Sequence, residues 1–286
     1  MYKPQLWISH SSISLFQSCP RAYFLSKIYK DPRSQKKIQI ISPALSLGLA
    51  VHDVLESLSI LPTHERFIHP LREKFETVWK TVSGKLGGFT DPADEQFMKE
   101  RGLAMLQRVE QHPGPLAQKA VKIQETIPHF TISESDSIVL CGKIDWLLYR
   151  EDIDAVEVID FKTSKHEEKE DSLQLPIYTL LTTYTQSRKV VGVKYWYLER
   201  DDEPLAMPLP DLAESLEKVM RAGKQMKLAK QLEKFDCPQG EQGCMFCRPY
   251  EEILKGKGEC VRETTREKVY ILPEVTSRPN FDEVIL

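Results

Sequence analysis

Two short runs, Gly142-Lys143-Ile144-Asp145 and Val158-Ile159-Asp160-Phe161-Lys162-Thr163, carry side chains suited to hydrolytic chemistry on a phosphate. Side chains alternate faces along a strand, so Asp160 and Lys162 project together and Phe161 projects into the other layer. Between the two runs, Arg150-Glu151-Asp152-Ile153-Asp154 is a polar turn. A hairpin centred between Asp152 and Ile153 pairs residues whose numbers sum to 305, Asp145 with Asp160 among them. Their Cβ atoms would then lie about 5 Å apart on one sheet face. Carboxylates held that close repel each other unless a cation lies between them, and Mg²⁺ or Mn²⁺ suits such oxygen donors. Lys162 beside them would orient an attacking water or stabilise charge developing on a phosphate. A lone D-x-K also marks a salt-bridged surface hairpin. Register between the two carboxylates, flanked by apolar strand residues, favours the reactive reading.

Other spaced sets accompany this one. On an apolar helix expected over 44–61, Gly48, His52 and Glu56 recur every four residues along one stripe. His52 is there either a satisfied core histidine or a metal ligand. Gln174 and Tyr178 are likewise i,i+4 neighbours, an amide and a phenol on one helix face. Of the six cysteines, Cys19 and Cys141 stand alone, and Cys237, Cys244, Cys247 and Cys260 form the pattern C-x6-C-x2-C-x12-C. The N-terminal residues Met1 to Trp7 lack the apolar core of a secretory signal. A cytoplasmic setting is therefore expected, and clustered cysteines read as metal binding rather than as disulfides. Taken locally, four thiolates suit a closed tetrahedral zinc site. Cys141 reads as a small inert core residue.

The elements that must position these residues follow from pattern. Helices are expected after Ser9, after Pro20, over 44–61, 65–82, 92–112, 171–186 and 211–234, and strands over 121–133, 137–149, 155–162 and 190–199. With 286 residues the chain has room for one large α/β domain, and its 41% hydrophobic and 28% charged content is that of a globular protein. Its apolar runs fall well short of the ~20 residues that span a membrane. A net charge of −3 gives no global attraction to nucleic acid. Local basic excess does occur, at Lys3, Arg21, Lys27, Lys30, Arg33, Lys36 and Lys37 and along Lys218, Arg221, Lys224, Lys227 and Lys230. Each is either a solvated face or a phosphate-tracking surface.

In this order, the motifs resemble the RecB-like branch of the PD-(D/E)XK nucleases, including iron–sulfur exonucleases and the CRISPR adaptation nucleases. The carriers are Gly48/His52/Glu56, Gly142/Asp145, Asp160/Lys162 and Gln174/Tyr178. They follow an opening segment, Ser12-Ile13-Ser14-Leu15-Phe16-Gln17-Ser18-Cys19-Pro20-Arg21-Ala22-Tyr23. The resemblance implies a restriction-endonuclease-like α/β core, a mixed central sheet flanked by helices. That core would form one domain over 1–262, with a helical insertion about 62–115, a cysteine-rich cap about 236–260 and a tail over 263–286. It implies Mg²⁺ or Mn²⁺ held by His52, Asp145, Asp160 and the Phe161 carbonyl, with Asp145, Asp160 and Lys162 catalytic. Gln174 and Tyr178 would line the substrate path, and Glu125 resembles the family's strand glutamate. A [4Fe–4S] cluster on Cys19, Cys244, Cys247 and Cys260 is implied, with Cys237 the substitute for Cys260 and structural Zn²⁺ the alternative. The implied activity is DNA hydrolysis, exonucleolytic on single-stranded ends, in repair, recombination or CRISPR adaptation. Implied partners are DNA and a helicase or a CRISPR integration complex. The alternative is a non-catalytic nucleic-acid-binding module of the same fold.

Overall fold

The strand Ala155–Lys162 is buried along all but its last residue, because valine, isoleucine and phenylalanine face both layers. In this computed structural model, which describes residues 5–123 and 127–272, the fold is assembled around it. Glu125 lies outside the described residues. Ala155–Lys162 pairs antiparallel with Trp146–Arg150 and parallel with Lys189–Tyr197, which pairs antiparallel with Leu205–Met207. The result is the expected mixed sheet, and the helix Gln174–Thr185 makes the crossover that a parallel pair requires. The hairpin register runs from Trp146 opposite Ile159 to Arg150 opposite Ala155, as the turn sequence predicts.

The strand expected over 137–149 is in fact two. Ile138–Cys141 lies between Leu6–Ile8 and His129–Ser133 in a separate three-stranded sheet, and Trp146–Arg150 belongs to the central one. The break begins at Gly142, where an added Cβ would sit 2.9 Å from Leu181 Cδ1 on the crossover helix. Close approach of that helix requires glycine and diverts the chain from one sheet to the next. Of the strand expected over 121–133, residues 124–126 lie outside the described residues and His129–Ser133 forms a strand.

Each face of the central sheet is covered by helices. Val156, Val158 and Leu147 pack with Ile177, Leu181 and, on the helix Leu212–Gln231, Val219 and Met226. On the opposite face Trp146, Ile159, Phe161 and Trp196 pack with Leu47, Val51, Phe75 and Met105. Those residues come from the helices Pro43–Ser57, Leu71–Trp79 and Pro92–Gln111, the last two within the expected insertion. Ser42 caps the first of them by accepting the Leu45 N–H, and Pro43 fits its first turn. Pro70 delays the helix expected from 65, which starts at Leu71. Arg66 staples the insertion to the core: it is 3% exposed, donates to the carbonyls of Leu61, Leu116 and Gln118, and lies 5.0 Å over the Trp146 ring.

The third sheet joins Lys37–Ile40, Glu259–Glu263 and Glu267–Ile271. The tail expected from 263 therefore begins as a strand, because Val269 and Ile271 bury against Ile41. The basic stripe on Leu212–Gln231 is largely ion-paired: Lys218 with Glu214, Arg221 with Glu217, and Lys224 and Lys227 with Asp136. Among the described residues, no helix is long and apolar enough to cross a membrane.

Candidate active site

Asp145 stands in a bend just before the strand Trp146–Arg150, whose ladder begins with Trp146 opposite Ile159, next to Asp160. The two carboxylates nevertheless take different partners. Asp145 Oδ2 accepts the Phe161 N–H at 2.9 Å, and Oδ1 lies 3.3 Å from His52 Nδ1. The N–H and C=O of one strand residue point to the same edge, so the Phe161 carbonyl also faces the Asp145 side. The helical stripe then completes the group: His52 Nδ1 lies 4.0 Å from Glu56 Oε1. One donor atom each from His52, Glu56 and Asp145 fall within 4.8 Å of one another, a geometry that suits a metal ion. Glu56, which the motif spacing marked only as part of a stripe, is thus a candidate ligand. Its other oxygen pairs with the exposed Lys143.

Asp160, 2% exposed, faces the crossover helix. Its Oδ1 accepts from Gln174 Nε2 at 2.9 Å and its Oδ2 lies 3.0 Å from Lys162 Nζ. Gln174 Oε1 accepts a second bond from Lys162, and Gln174 Nε2 lies 3.4 Å from the Tyr178 hydroxyl. Gln174 and Tyr178 are 4% and 7% exposed. Their hydrogen bonds run to Asp160, Lys162 and one another, and a place along the substrate path is what the resemblance implies for them. The helix carrying them is buried on nearly every side, and they lie behind Asp160 and Lys162 and orient them.

Two further residues escaped sequence reasoning. Glu168 Oε2 lies 3.0 Å from Lys162 Nζ, and His10 Nε2 lies 3.5 Å from the Ser172 hydroxyl. Both sit in polar stretches, Ser9–Ser12 and Ser164–Ser172, with no periodicity to single them out.

Electrostatics follow from burial and these pairings. Burial alone would lower the His52 pKa, but Asp145, Asp160 and Glu56 raise it to about 8. Burial, opposed by Lys162 and reinforced by Asp145, lifts Asp160 to about 7. Asp145 is pushed up by burial, yet His52 and the Phe161 N–H hold it below the usual carboxylate range. Burial disfavours the Lys162 charge, and Asp160 and Glu168 more than restore it. Burial lowers His10 to about 4 against the opposing pull of Glu168, so it is neutral near pH 7. Near pH 7 the His52 imidazolium and the Lys162 ammonium lie among Asp145, Glu56, Glu168 and a half-ionised Asp160, with Lys143 offsetting Glu56. These clustered oxygen donors suit a divalent cation.

A second group lies elsewhere in the fold. The sulfurs of Cys19, Cys237, Cys244 and Cys247 are buried and within 4.8 Å of one another. Cys19 follows the helix His10–Ser18, and Leu15, Phe24, Phe246 and Tyr250 pack round the group. The N–H groups of Ala22, Gln239 and Cys244 donate to the sulfurs of Cys19, Cys237 and Cys247. Cys260, the expected fourth member, is exposed on the strand Glu259–Glu263, opposite Tyr270. Strand pairing carries it away, and Cys237 takes the fourth place. Burial pushes the Cys19 thiol up and Cys247 to about 11, whereas at Cys237 burial is outweighed by the Gln239 N–H and the neighbouring cysteines, which lower it. Cys141 donates to the Ile8 carbonyl and takes no part.

Against protein families, residues 7–253 match the PD-(D/E)XK nuclease superfamily. With most of its length matched, the chain belongs to that superfamily, whose members are generally nucleases using divalent metals. A search of curated proteins finds none that matches.

Proposed function

We propose that this protein is a metal-dependent deoxyribonuclease of the RecB-like branch, acting as an exonuclease on single-stranded ends. The observation that carries this reading is the convergence of two half-sites on neighbouring strand ends. His52, Glu56 and Asp145 form a three-donor group, and Asp160 and Lys162 stand beside it. His52, Glu56, Asp145, Asp160 and the Phe161 carbonyl would hold Mg²⁺ or Mn²⁺, and this oxygen-rich donor set fits such ions. A bound divalent cation supplies Lewis acidity toward the phosphodiester and toward water. Lys162 would donate an N–H to a non-bridging phosphate oxygen as the P–O bond from water forms and one P–O bond to sugar breaks. The attacking water would give up a proton to solvent, and the departing sugar oxygen would take one from solvent. Gln174, fixed by Tyr178, keeps Asp160 and Lys162 in register. The pathway, in repair, recombination or CRISPR adaptation, and a helicase or integration-complex partner rest on the resemblance, as does a cytoplasmic location.

For the cysteines the resemblance favours a [4Fe–4S] cluster, now with Cys237 in place of Cys260. One observation favours zinc instead. A tetrahedron with Zn–S of about 2.3 Å has S···S edges of about 3.8 Å, and Cys244 and Cys247 stand 3.8 Å apart. Elemental analysis of anaerobically purified protein separates the two. The activity test is cleavage of 5′- and 3′-labelled single- and double-stranded DNA with Mg²⁺ or Mn²⁺, comparing wild type with Asp145→Asn. Metal-dependent, end-directed cleavage lost in the variant supports the reading. DNA binding without cleavage would return the protein to a non-catalytic module.

A further inference from the structure

An ammonium has three N–H donors, and Lys162 Nζ already faces three acceptors. Asp160 Oδ2 and Glu168 Oε2 each lie at 3.0 Å, and Gln174 Oε1 is the third. The Tyr195 ring lies 5.1 Å away and closes another side. With three acceptors and an aromatic ring crowded round it, the ammonium has no open side for a phosphate oxygen or a water, so one acceptor must withdraw before Lys162 can act. Gln174 is the least able to, because its amide is fixed between Asp160 and Tyr178. Glu168 is also anchored: its N–H donates to the Tyr197 hydroxyl at 2.9 Å, and its side chain is 11% exposed. Asp160 is the acceptor that neighbours the three-donor group, and it is the one with other work to do.

We propose that Glu168 is a positioning residue that holds Lys162 by charge, at 3.0 Å, when Asp160 turns to a divalent cation. The side of Lys162 that Asp160 vacates then becomes free for the substrate phosphate. This inference rests on the nuclease reading and deepens it. Without Glu168, Lys162 would keep only the neutral Gln174 oxygen once Asp160 had left, and a long flexible side chain so held would sample unproductive positions. Glu167, its neighbour, points outward to Arg200 at 2.9 Å and serves as a control on the same loop.

The experiment compares wild type with Glu168→Ala, Glu168→Gln, Glu168→Asp and Glu167→Ala. It measures kcat and KM on DNA with Mn²⁺, the Mn²⁺-induced rise in melting temperature, and the rate of acetylation of Lys162 by an amine reagent, followed by mass spectrometry. Loss of a supporting partner typically costs about 10- to 100-fold, so Glu168→Ala should lower kcat by that factor with KM within about twofold. Glu168→Asp should recover part of the loss, and Glu168→Gln, which keeps the shape and an oxygen acceptor, should fall between. Lys162 should acetylate several-fold faster in Glu168→Ala, with the Mn²⁺ shift retained. Glu167→Ala should match wild type in all three measurements. Wild-type kcat in Glu168→Ala, or unchanged Lys162 labelling there or in Glu168→Gln, would overturn the proposal, as would an equal loss in Glu167→Ala. Were the wild type itself inert on DNA, the nuclease reading would fall, and labelling of Lys162 would still judge Glu168 on its own.

Discussion

Replacing Asp160 by asparagine separates the cost of a buried charge from the benefit of a ligand. In the folded protein burial raises this carboxyl to about 7 from its ordinary 3.8. A carboxyl raised on folding contributes stability in its protonated form, and that contribution is lost as pH rises from about 4 to about 7. The linkage relation puts the resulting destabilisation at about 2 kcal/mol at pH 5 and about 4 kcal/mol at pH 8. Asparagine mimics the protonated form and still accepts from Gln174 through its side-chain oxygen, so it escapes this cost. In divalent-free buffer Asp160→Asn should therefore be more stable than wild type at both pH values. The gain should be about 2 kcal/mol larger at pH 8, on the order of 5 °C in melting temperature for a chain of this size. With Mn²⁺ at a hundredfold excess over its Kd, wild type should gain about 2.7 kcal/mol, and the variant should lose most of that response. Scanning calorimetry at the two pH values, with and without Mn²⁺, measures every quantity. A variant no more stable at pH 8 than at pH 5, relative to wild type, would refute the burial argument; an undiminished Mn²⁺ response would refute the assignment of Asp160 as a ligand.

Lys162→Ala should bind single-stranded DNA within a few-fold of wild type yet cleave it about 100- to 1000-fold more slowly, as filter binding and cleavage assays in parallel would reveal. Cys237→Ser should deplete the metal found with purified protein and lower its melting temperature, and Cys260→Ser should change neither; metal analysis and thermal denaturation of both variants check this. Lys143→Ala removes the cation that now neutralises Glu56, and because that lysine is exposed the pair is worth at most about 1 kcal/mol. Mn²⁺ affinity by titration calorimetry should rise by no more than about fivefold. Gly102→Ala would put a Cβ 2.5 Å from the Phe75 ring, and overpacking at such a helix contact should cost about 1–3 kcal/mol in urea denaturation.

Much of the candidate site's geometry was legible because it is local. A tight polar turn fixes the hairpin register up to Trp146 opposite Ile159 and so brings Asp145 near Asp160, and helical periodicity fixes His52 beside Glu56. What escaped depends on contacts between distant segments. Nothing in the spacing of Cys237, Cys244, Cys247 and Cys260 says that strand pairing with Tyr270 will remove the last of them. The pattern of Gln174 and Tyr178 indicates a shared face, but whether that face meets solvent or the core depends on the packing of the whole crossover helix. Glu168 belongs to a run of charges, any of which looks equally solvated until Lys162 is placed. The three short strands Leu6–Ile8, Lys37–Ile40 and Leu205–Met207 have too few residues to express an alternation. Pairing with partners far along the chain makes them strands.

The four-sulfur group also orders events in time. Cys19 is synthesised before its three companions, which follow only after both sheet-covering helical layers have been made. At about 5–20 residues per second the interval is roughly ten to forty seconds. Throughout it Cys19 waits as a single thiol without its companions. Whatever ion or cluster the sulfurs take, loading requires the segment after Leu212–Gln231 to have returned to the first helices. A chain that stalls before that return has no complete site to load. Retention of a metal would therefore report that the segment after Leu212–Gln231 has come back to Cys19, before the strands Glu259–Glu263 and Glu267–Ile271 complete the third sheet.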